Sequence, residues 1–192
     1  MPTRREIADV SRLAGPIVVV QVGLMLMGVV DTAMVGHVDA RALAGVALGN
    51  LYWLLVVMLG QGTLMALDPV VAQAVGARDE VAIARGLQRG LLLSVGISVL
   101  CSIALVPGEA VLGLLRQPVD VQPIGASFAR VSAWGTLPYF AFIVFRQTLQ
   151  AFSRVRPIVW AVIIGNVANA ILDWLLVFGK MGAPQLGAIG SA

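Results

Sequence analysis

One aspartate, Asp31, is the only ionisable residue in the first long apolar run of the chain, residues 13–35. As a helix rising about 1.5 Å per residue, this run would be about 34 Å long, enough to cross the hydrocarbon core of a bilayer. An ionised carboxylate inside that core costs roughly 2.5–3.5 kcal/mol on insertion scales. We interpret Asp31 as an intramembrane proton or cation site. The alternative is that it lies near the outer end of the helix and reaches water.

A second polar group lies in the last long apolar run, where Asn166, Asn169 and Asp173 follow each other at i, i+3 and i+7. This spacing places them on one face of a helix. Counted along their helices from one membrane surface, Asp173 and Asp31 lie at similar depth, so we predict that they share one site. Asparagine amides can hydrogen-bond a carboxyl group in either protonation state. The alternative is a purely structural role in helix packing.

Three further residues are weaker candidates. Tyr139 follows Pro138 and offers a hydroxyl and an aromatic ring to a cation, although an interfacial position explains it equally well. Met25 and Met27 are predicted to line an apolar cavity, because methionine adapts to varied ligands. The alternative is that both simply face lipid or neighbouring helices.

Composition indicates an integral membrane protein. Hydrophobic residues make up 59% of the 192 residues and charged residues only 12%, against about 25% charged residues in a soluble domain. The basic residues lie between the apolar runs and the net charge is only +3, so membrane topology explains them better than a nucleic-acid partner. A single cysteine, Cys101, excludes a disulfide framework and a cysteine metal cluster.

The apolar runs predict an all-α, polytopic transmembrane bundle with five complete spans and the start of a sixth. We treat residues 1–192 as one domain. The predicted spans are 13–35, 42–67, 90–106, 124–145 and 157–178, and the sixth begins near 187.

The basic residues predict a cytoplasmic N-terminus. In that orientation nine of the 13 Lys and Arg residues face the cytoplasm. They are Arg4, Arg5, Arg12, Arg78, Arg85, Arg89, Arg146, Arg154 and Arg156.

Several motifs, in order along nearly the whole chain, resemble the multidrug and toxic-compound extrusion (MATE) transporters, and within them the NorM-like bacterial members. They are MGVVDTAMVGH, GTLMALDPVVAQAVGA, QTLQAFSRVRP, NVANAILDWLLVFG and MGAPQLGAIGSA.

The resemblance implies an antiporter in the bacterial inner membrane that exports drugs or other organic, often cationic, compounds in exchange for H⁺ or Na⁺. It also implies a twelve-helix fold of two lobes, of which this chain supplies most of the N-terminal lobe, while the C-terminal lobe is missing. By resemblance, Asp31, Asn169 and Asp173 belong to the cation site of that lobe, with Asn166 and Tyr139 as further members and Na⁺ as a possible ligand of Asp31 and Asp173. No cofactor other than the coupling ion is implied.

Two rival classes remain at this point. An intramembrane aspartyl protease also needs two aspartates on separate helices, but the chain has no GxGD-type sequence. A non-transporting membrane scaffold is the stronger rival. Because the chain has neither an HExxH nor a GxxxxGK[ST] motif, an enzyme or an ATP-driven pump is not expected.

Overall fold

The structure, a computed structural model, describes residues 4–36, 40–179 and 187–191. These residues form eight α-helices and two 3₁₀ segments. In order they are α1 (Arg4–Gly36), α2 (Ala40–Met65), α3 (Leu67–Gly76), α4 (Glu80–Leu105), α5 (Gly108–Leu114), α6 (Gln122–Ser132), a 3₁₀ turn (Ala133–Gly135), α7 (Thr136–Ala151), α8 (Arg156–Phe178) and a 3₁₀ segment (Gly187–Ser191).

Five helical stretches of the described chain are long and apolar enough to cross a membrane, which confirms the predicted all-α class. They are Ile17–Gly36, Ala40–Gly76, Glu80–Leu105, Gln122–Ala151 and Arg156–Phe178. The expected start of a sixth helix falls on Gly187–Ser191, which packs against the end of α8.

Local sequence explains several helix boundaries. Asp79 accepts a hydrogen bond from the backbone N–H of Ala82 at 2.9 Å, so α4 begins at Glu80, well before the predicted apolar span 90–106. Pro69 has no N–H for the carbonyl of Met65, where α2 ends and α3 follows after one residue. At the end of α8, Gly179 adopts φ 63°, a left-handed conformation that favours glycine.

Small residues let the helices approach closely. The helices pair as α1 with α8, α2 with α6 and α4 with α7. Where α2 meets α6, a Cβ atom at Gly49 would lie 2.5 Å from the carbonyl oxygen of Gly125. Such backbone contact is a common way for membrane helices to pack.

The loop between α5 and α6 is tied to the start of α2 by an ion pair. Arg41 and Asp120 lie 2.9 Å apart, and both side chains are more than half exposed. Hydrogen bonds from the backbone N–H of Asp120 and from Arg41 lower the pKa of this carboxyl group. The contribution of this ion pair to folding stability is therefore present above the usual Asp pKa. It is lost as the pH falls through the lowered pKa of Asp120.

One end of the bundle is rich in arginine. Here α3 leads into α4, and α7 leads into α8. We call it the arginine-rich end, and its arginines are Arg78, Arg85, Arg89, Arg146, Arg154 and Arg156.

We expect Gly49→Ala to destabilise the bundle, because the added methyl group would push α2 away from the backbone of α6. Overpacking of this kind typically costs about 1–3 kcal/mol. The measurement is the midpoint of thermal unfolding in detergent. Gly62→Ala is the matched control in the same helix, since a Cβ atom there meets nothing within 4 Å. A midpoint for Gly49→Ala at or above that of the wild type would contradict this account of the interface.

Candidate functional site

The candidate site depends on a close contact between α1 and α8. A Cβ atom at Gly23 would lie 2.4 Å from a methyl group of Val162, so only glycine fits at this point. The Asn166 side-chain N–H₂ group donates to the carbonyl oxygen of Gly23 at 3.0 Å and to that of Val162 at 2.8 Å. The amide thus ties the two helices together.

The same register brings the two predicted carboxyl groups together. The helices α1 and α8 run parallel, so the residues about two turns beyond Gly23 and Asn166 also face each other. These residues are Asp31 and Asp173. Their carboxyl groups lie within hydrogen-bonding reach of each other, although neither sequence run alone shows this.

Burial makes this pair unusual. Asp173 is only 2% exposed, and Asp31 is half-buried. Two carboxyl groups can hydrogen-bond to each other only if one of them carries a proton. Since like charges in contact cannot both ionise without compensation, the pair needs either a shared proton or a bound cation.

Three buried oxygen atoms at the site have no hydrogen-bond partner among the described residues: Oδ1 of Asp31, Oδ2 of Asp173 and Oδ1 of Asn169. Because Asn169 and Asp173 are four residues apart on α8, their side chains share one helix face. Buried polar atoms are normally satisfied by protein, water or an ion. Carboxylate and amide oxygens are hard ligands, and these three suit a small hard cation or water.

The hydrogen bonds of Asn166 and Tyr139 go to atoms outside this oxygen cluster. Both hydrogen bonds of the Asn166 amide nitrogen go to backbone carbonyls, so this residue positions α1 against α8. The Tyr139 hydroxyl donates to Oε1 of Gln61 at 3.1 Å, and its ring packs edge-on against Trp53 with centroids 5.3 Å apart. Tyr139 therefore points into the bundle.

The two methionines differ in their surroundings. The Cε atom of Met27 lies 3.5 Å from the position that a Cβ atom would take at Gly165, so Met27 packs against α8. Met25 is 63% exposed. Met25 therefore lies largely on the surface of the described bundle.

Sequence reasoning missed the polar partners of Tyr139. Gln61 was visible as a polar residue in an apolar run, but nothing in its own segment indicates a partner in α7. Arg146, two helical turns after Tyr139, also has a buried Nε with no hydrogen-bond partner in the described part of the chain. The seven-residue spacing of Tyr139 and Arg146 is the signal that could have placed them on one face.

The described chain is a helical membrane bundle with two adjacent carboxyl groups, and comparison with known proteins identifies its family. The sequence profile of the MatE family matches residues 16–175. The chain belongs to this family, which confirms the resemblance found in its motifs.

Two bacterial relatives illustrate the similarity. The chain is 33% identical over 189 residues to the multidrug resistance protein MdtK of Yersinia pestis, covering 96% of this chain and 41% of that protein. It is 35% identical over 179 residues to the probable multidrug resistance protein NorM of Geobacillus kaustophilus, covering 92% and 39%. The chain thus spans about two fifths of the length of these relatives.

Solved structures confirm the fold. A eukaryotic MATE transporter superposes with a TM-score of 0.87 at 24% identity, over 97% of this chain and 42% of that one. An outward-facing multidrug resistance MATE family transporter of the MOP superfamily gives a TM-score of 0.82 at 20% identity, over 94% and 39%.

We expect dicyclohexylcarbodiimide, which modifies protonated carboxyl groups in apolar surroundings, to label Asp31 or Asp173 at neutral pH. The physical reason is that two adjacent carboxyl groups retain a proton when no cation separates them. Mass spectrometry of the labelled peptides provides the measurement. Asp120→Asn is the control and should leave the labelling unchanged, since Asp120 is exposed and paired with Arg41. Absence of label from both Asp31 and Asp173 would argue against a shared proton.

Proposed function

We propose that this chain forms the N-terminal lobe of a secondary active antiporter that exports organic, often cationic, compounds in exchange for H⁺ or Na⁺. The observation that carries the proposal is the buried pair Asp31–Asp173 in a bundle that belongs to the MatE family. A carboxyl pair at membrane depth that must hold a proton or a cation is suited to coupling one cation flow to another.

In this proposal, a coupling cation binds between α1 and α8. Na⁺ would be held by Asp31, Asp173 and the Asn169 amide oxygen, whose unpartnered oxygens support this assignment. H⁺ would instead be held between the two carboxyl groups. Asn166 keeps the two helices in register, and Tyr139 and Met27 belong to the surrounding interior.

The substrates and setting of the transporter belong to the same proposal. The two bacterial relatives are named as multidrug resistance proteins, which supports drug-like substrates. The partner is a C-terminal lobe, because transporters of this kind rock two halves around a site near their interface. The setting is the bacterial inner membrane, with the arginine-rich end in the cytoplasm, as the positive-inside rule favours.

Asp31→Asn should abolish cation-driven efflux in a transporter that joins this chain to a second lobe, because the neutral amide can neither carry the proton nor compensate a cation. The protein should remain folded, since asparagine has nearly the same shape. Efflux of a cationic dye from proteoliposomes, driven in turn by a Na⁺ and a pH gradient, tests this and distinguishes the two coupling ions. Asp120→Asn is the control and should transport normally. Wild-type efflux by Asp31→Asn at normal expression would falsify the assignment.

The 192-residue chain by itself should show little or no efflux, because alternating access needs a second half. Reconstitution of the purified chain in liposomes, with dye export under an imposed cation gradient, measures this. The matched sample adds a separately expressed second lobe of a relative and should recover transport if the two associate. Cation-coupled export by the chain alone would overturn the one-lobe proposal. A scaffold role would be supported instead if neither sample transports.

A further inference from the structure

The turn between α7 and α8 is fixed by its own backbone. Ser153 adopts φ 56°, a left-handed conformation that closes the end of α7. Its N–H group donates to the carbonyl oxygen of Gln150 at 2.8 Å. The N–H group of Arg154 donates to the carbonyl oxygen of Leu149, also at 2.8 Å. These two bonds form a Schellman motif, so the turn has a defined conformation of its own.

Alternating burial presents two arginines at this turn. Val155 is buried and packs in an apolar cluster with Val20 of α1 and Ile158 of α8. Arg154 and Arg156, on either side of Val155, are both exposed. Because the residue between them is anchored in the bundle, both arginines are held at the same edge of the arginine-rich end.

The two arginines line an open hollow of about 320 Å³, whose other lining residues are Ser153, Val155 and Pro157. This volume is at the lower end of the range of roughly 300–1,000 Å³ that is typical of ligand pockets. The lining offers two guanidinium groups and one hydroxyl group, and it contains no carboxylate. The hollow therefore suits an anion.

The positive charge of the hollow is not compensated within the described part of the chain. The ion pair found there joins Arg41 and Asp120, at the opposite end of the bundle. The first turn of α8 contains no acidic residue, and no side chain caps it. Arg154 and Arg156 thus lie at the positive end of the helix dipole, where cations are unfavourable and an anion is stabilised.

A phosphate is the anion that fits two arginines best. The guanidinium group is a planar fork of N–H donors that can bind two phosphate oxygens at once. Two such forks beside one hollow can bind one phosphate group from two sides.

The position of the hollow in the membrane favours a phospholipid over a free phosphate ion. The membrane-spanning helix α8 begins at Arg156. Trp160 lies four residues later, on the same helix face and about 6 Å further along the axis. It is 64% exposed, as is typical of a tryptophan that lies at the level of the lipid headgroups. A lipid with its phosphate in the hollow would have its glycerol region beside Trp160.

We propose that the turn between α7 and α8 binds an anionic phospholipid, with the phosphate held by Arg154 and Arg156 and the glycerol region against Trp160. A zwitterionic lipid has the same phosphate, but its ammonium group would be repelled by the two guanidinium groups. The proposal depends on the membrane-spanning fold and not on the proposed antiport, so either can fail without the other.

Native mass spectrometry of the full 192-residue chain in detergent, with added phosphatidylglycerol or phosphatidylcholine, tests the proposal. The wild type should bind the first phosphatidylglycerol about tenfold more tightly than the first phosphatidylcholine. The double variant Arg154→Gln/Arg156→Gln should lose this preference, because it removes both positive charges of the hollow. Since both side chains are exposed, the variant should keep the thermal unfolding midpoint of the wild type.

The matched control is the double variant Arg85→Gln/Arg89→Gln. It removes the same charge from the same end of the bundle, at exposed positions of α4 outside the hollow, and should keep the preference of the wild type. An equal loss in both double variants would overturn the proposal, because lipid would then follow the overall charge of this end.

Two further measurements separate a lipid from a free anion. Trp160→Ala should weaken phosphatidylglycerol binding about threefold or more, whereas Trp134→Ala, at a position that is 88% exposed, should not. Millimolar inorganic phosphate should not displace the lipid, since it gains nothing from Trp160. Displacement by inorganic phosphate, or an unchanged affinity in Trp160→Ala, would refute the assignment to a phospholipid.

Discussion

The contact of α1 with α8 at Gly23 is the constraint on which the candidate site depends. With no side chain at this position, Val162 and Asn166 press directly on the backbone of α1, and the Asn166 amide binds its carbonyl oxygen. Parallel helices fixed at one level keep their register over the next two turns, which brings Asp31 to Asp173. A larger residue at Gly23 would separate the helices and with them the two carboxyl groups. The chemistry of the site therefore depends on a residue that has no functional group.

The interior divides into two kinds of packing. Where α2, α4, α5 and α6 meet, apolar side chains fill the space, and the buried hydroxyl groups of Ser94 and Ser132 are satisfied by carbonyls of their own helices. On α1, α2, α7 and α8, by contrast, several buried polar atoms have no partner among the residues that the structure describes. In a membrane the first kind needs nothing further, whereas the second needs water or ions. The apolar part of the bundle thus supports a part whose polar groups are available for binding.

The sequence predicted the spans and the two carboxylates better than it predicted their surroundings. Long apolar runs interrupted by Pro107 and Gly76 are local signals, and five spans follow from them. Asp31 and Asp173 stand out because a charge in an apolar run is costly. The start of α4 at Glu80 was missed, because an apolar run marks only the part of a helix that lies in the membrane core. The Asp79 cap lies beyond that part. The contact of Tyr139 with Gln61 was also missed, since it joins residues 78 positions apart and depends on how two helices rotate against each other.

The geometry of the carboxyl pair limits how it can work. With both groups ionised and nothing between them, burial and mutual repulsion both raise the energy of the pair, so that state is disfavoured. One proton converts the repulsion into a hydrogen bond, and one cation allows both groups to ionise. In either case the site exchanges one positive charge for another and is not left empty. An organic cation near the pair and a coupling ion bound to it would each stabilise the ionised carboxyl groups. The two cations would therefore compete for the pair, even without touching the same atoms. In the proposed antiporter, this competition is the physical basis on which the entry of one cation favours the release of the other.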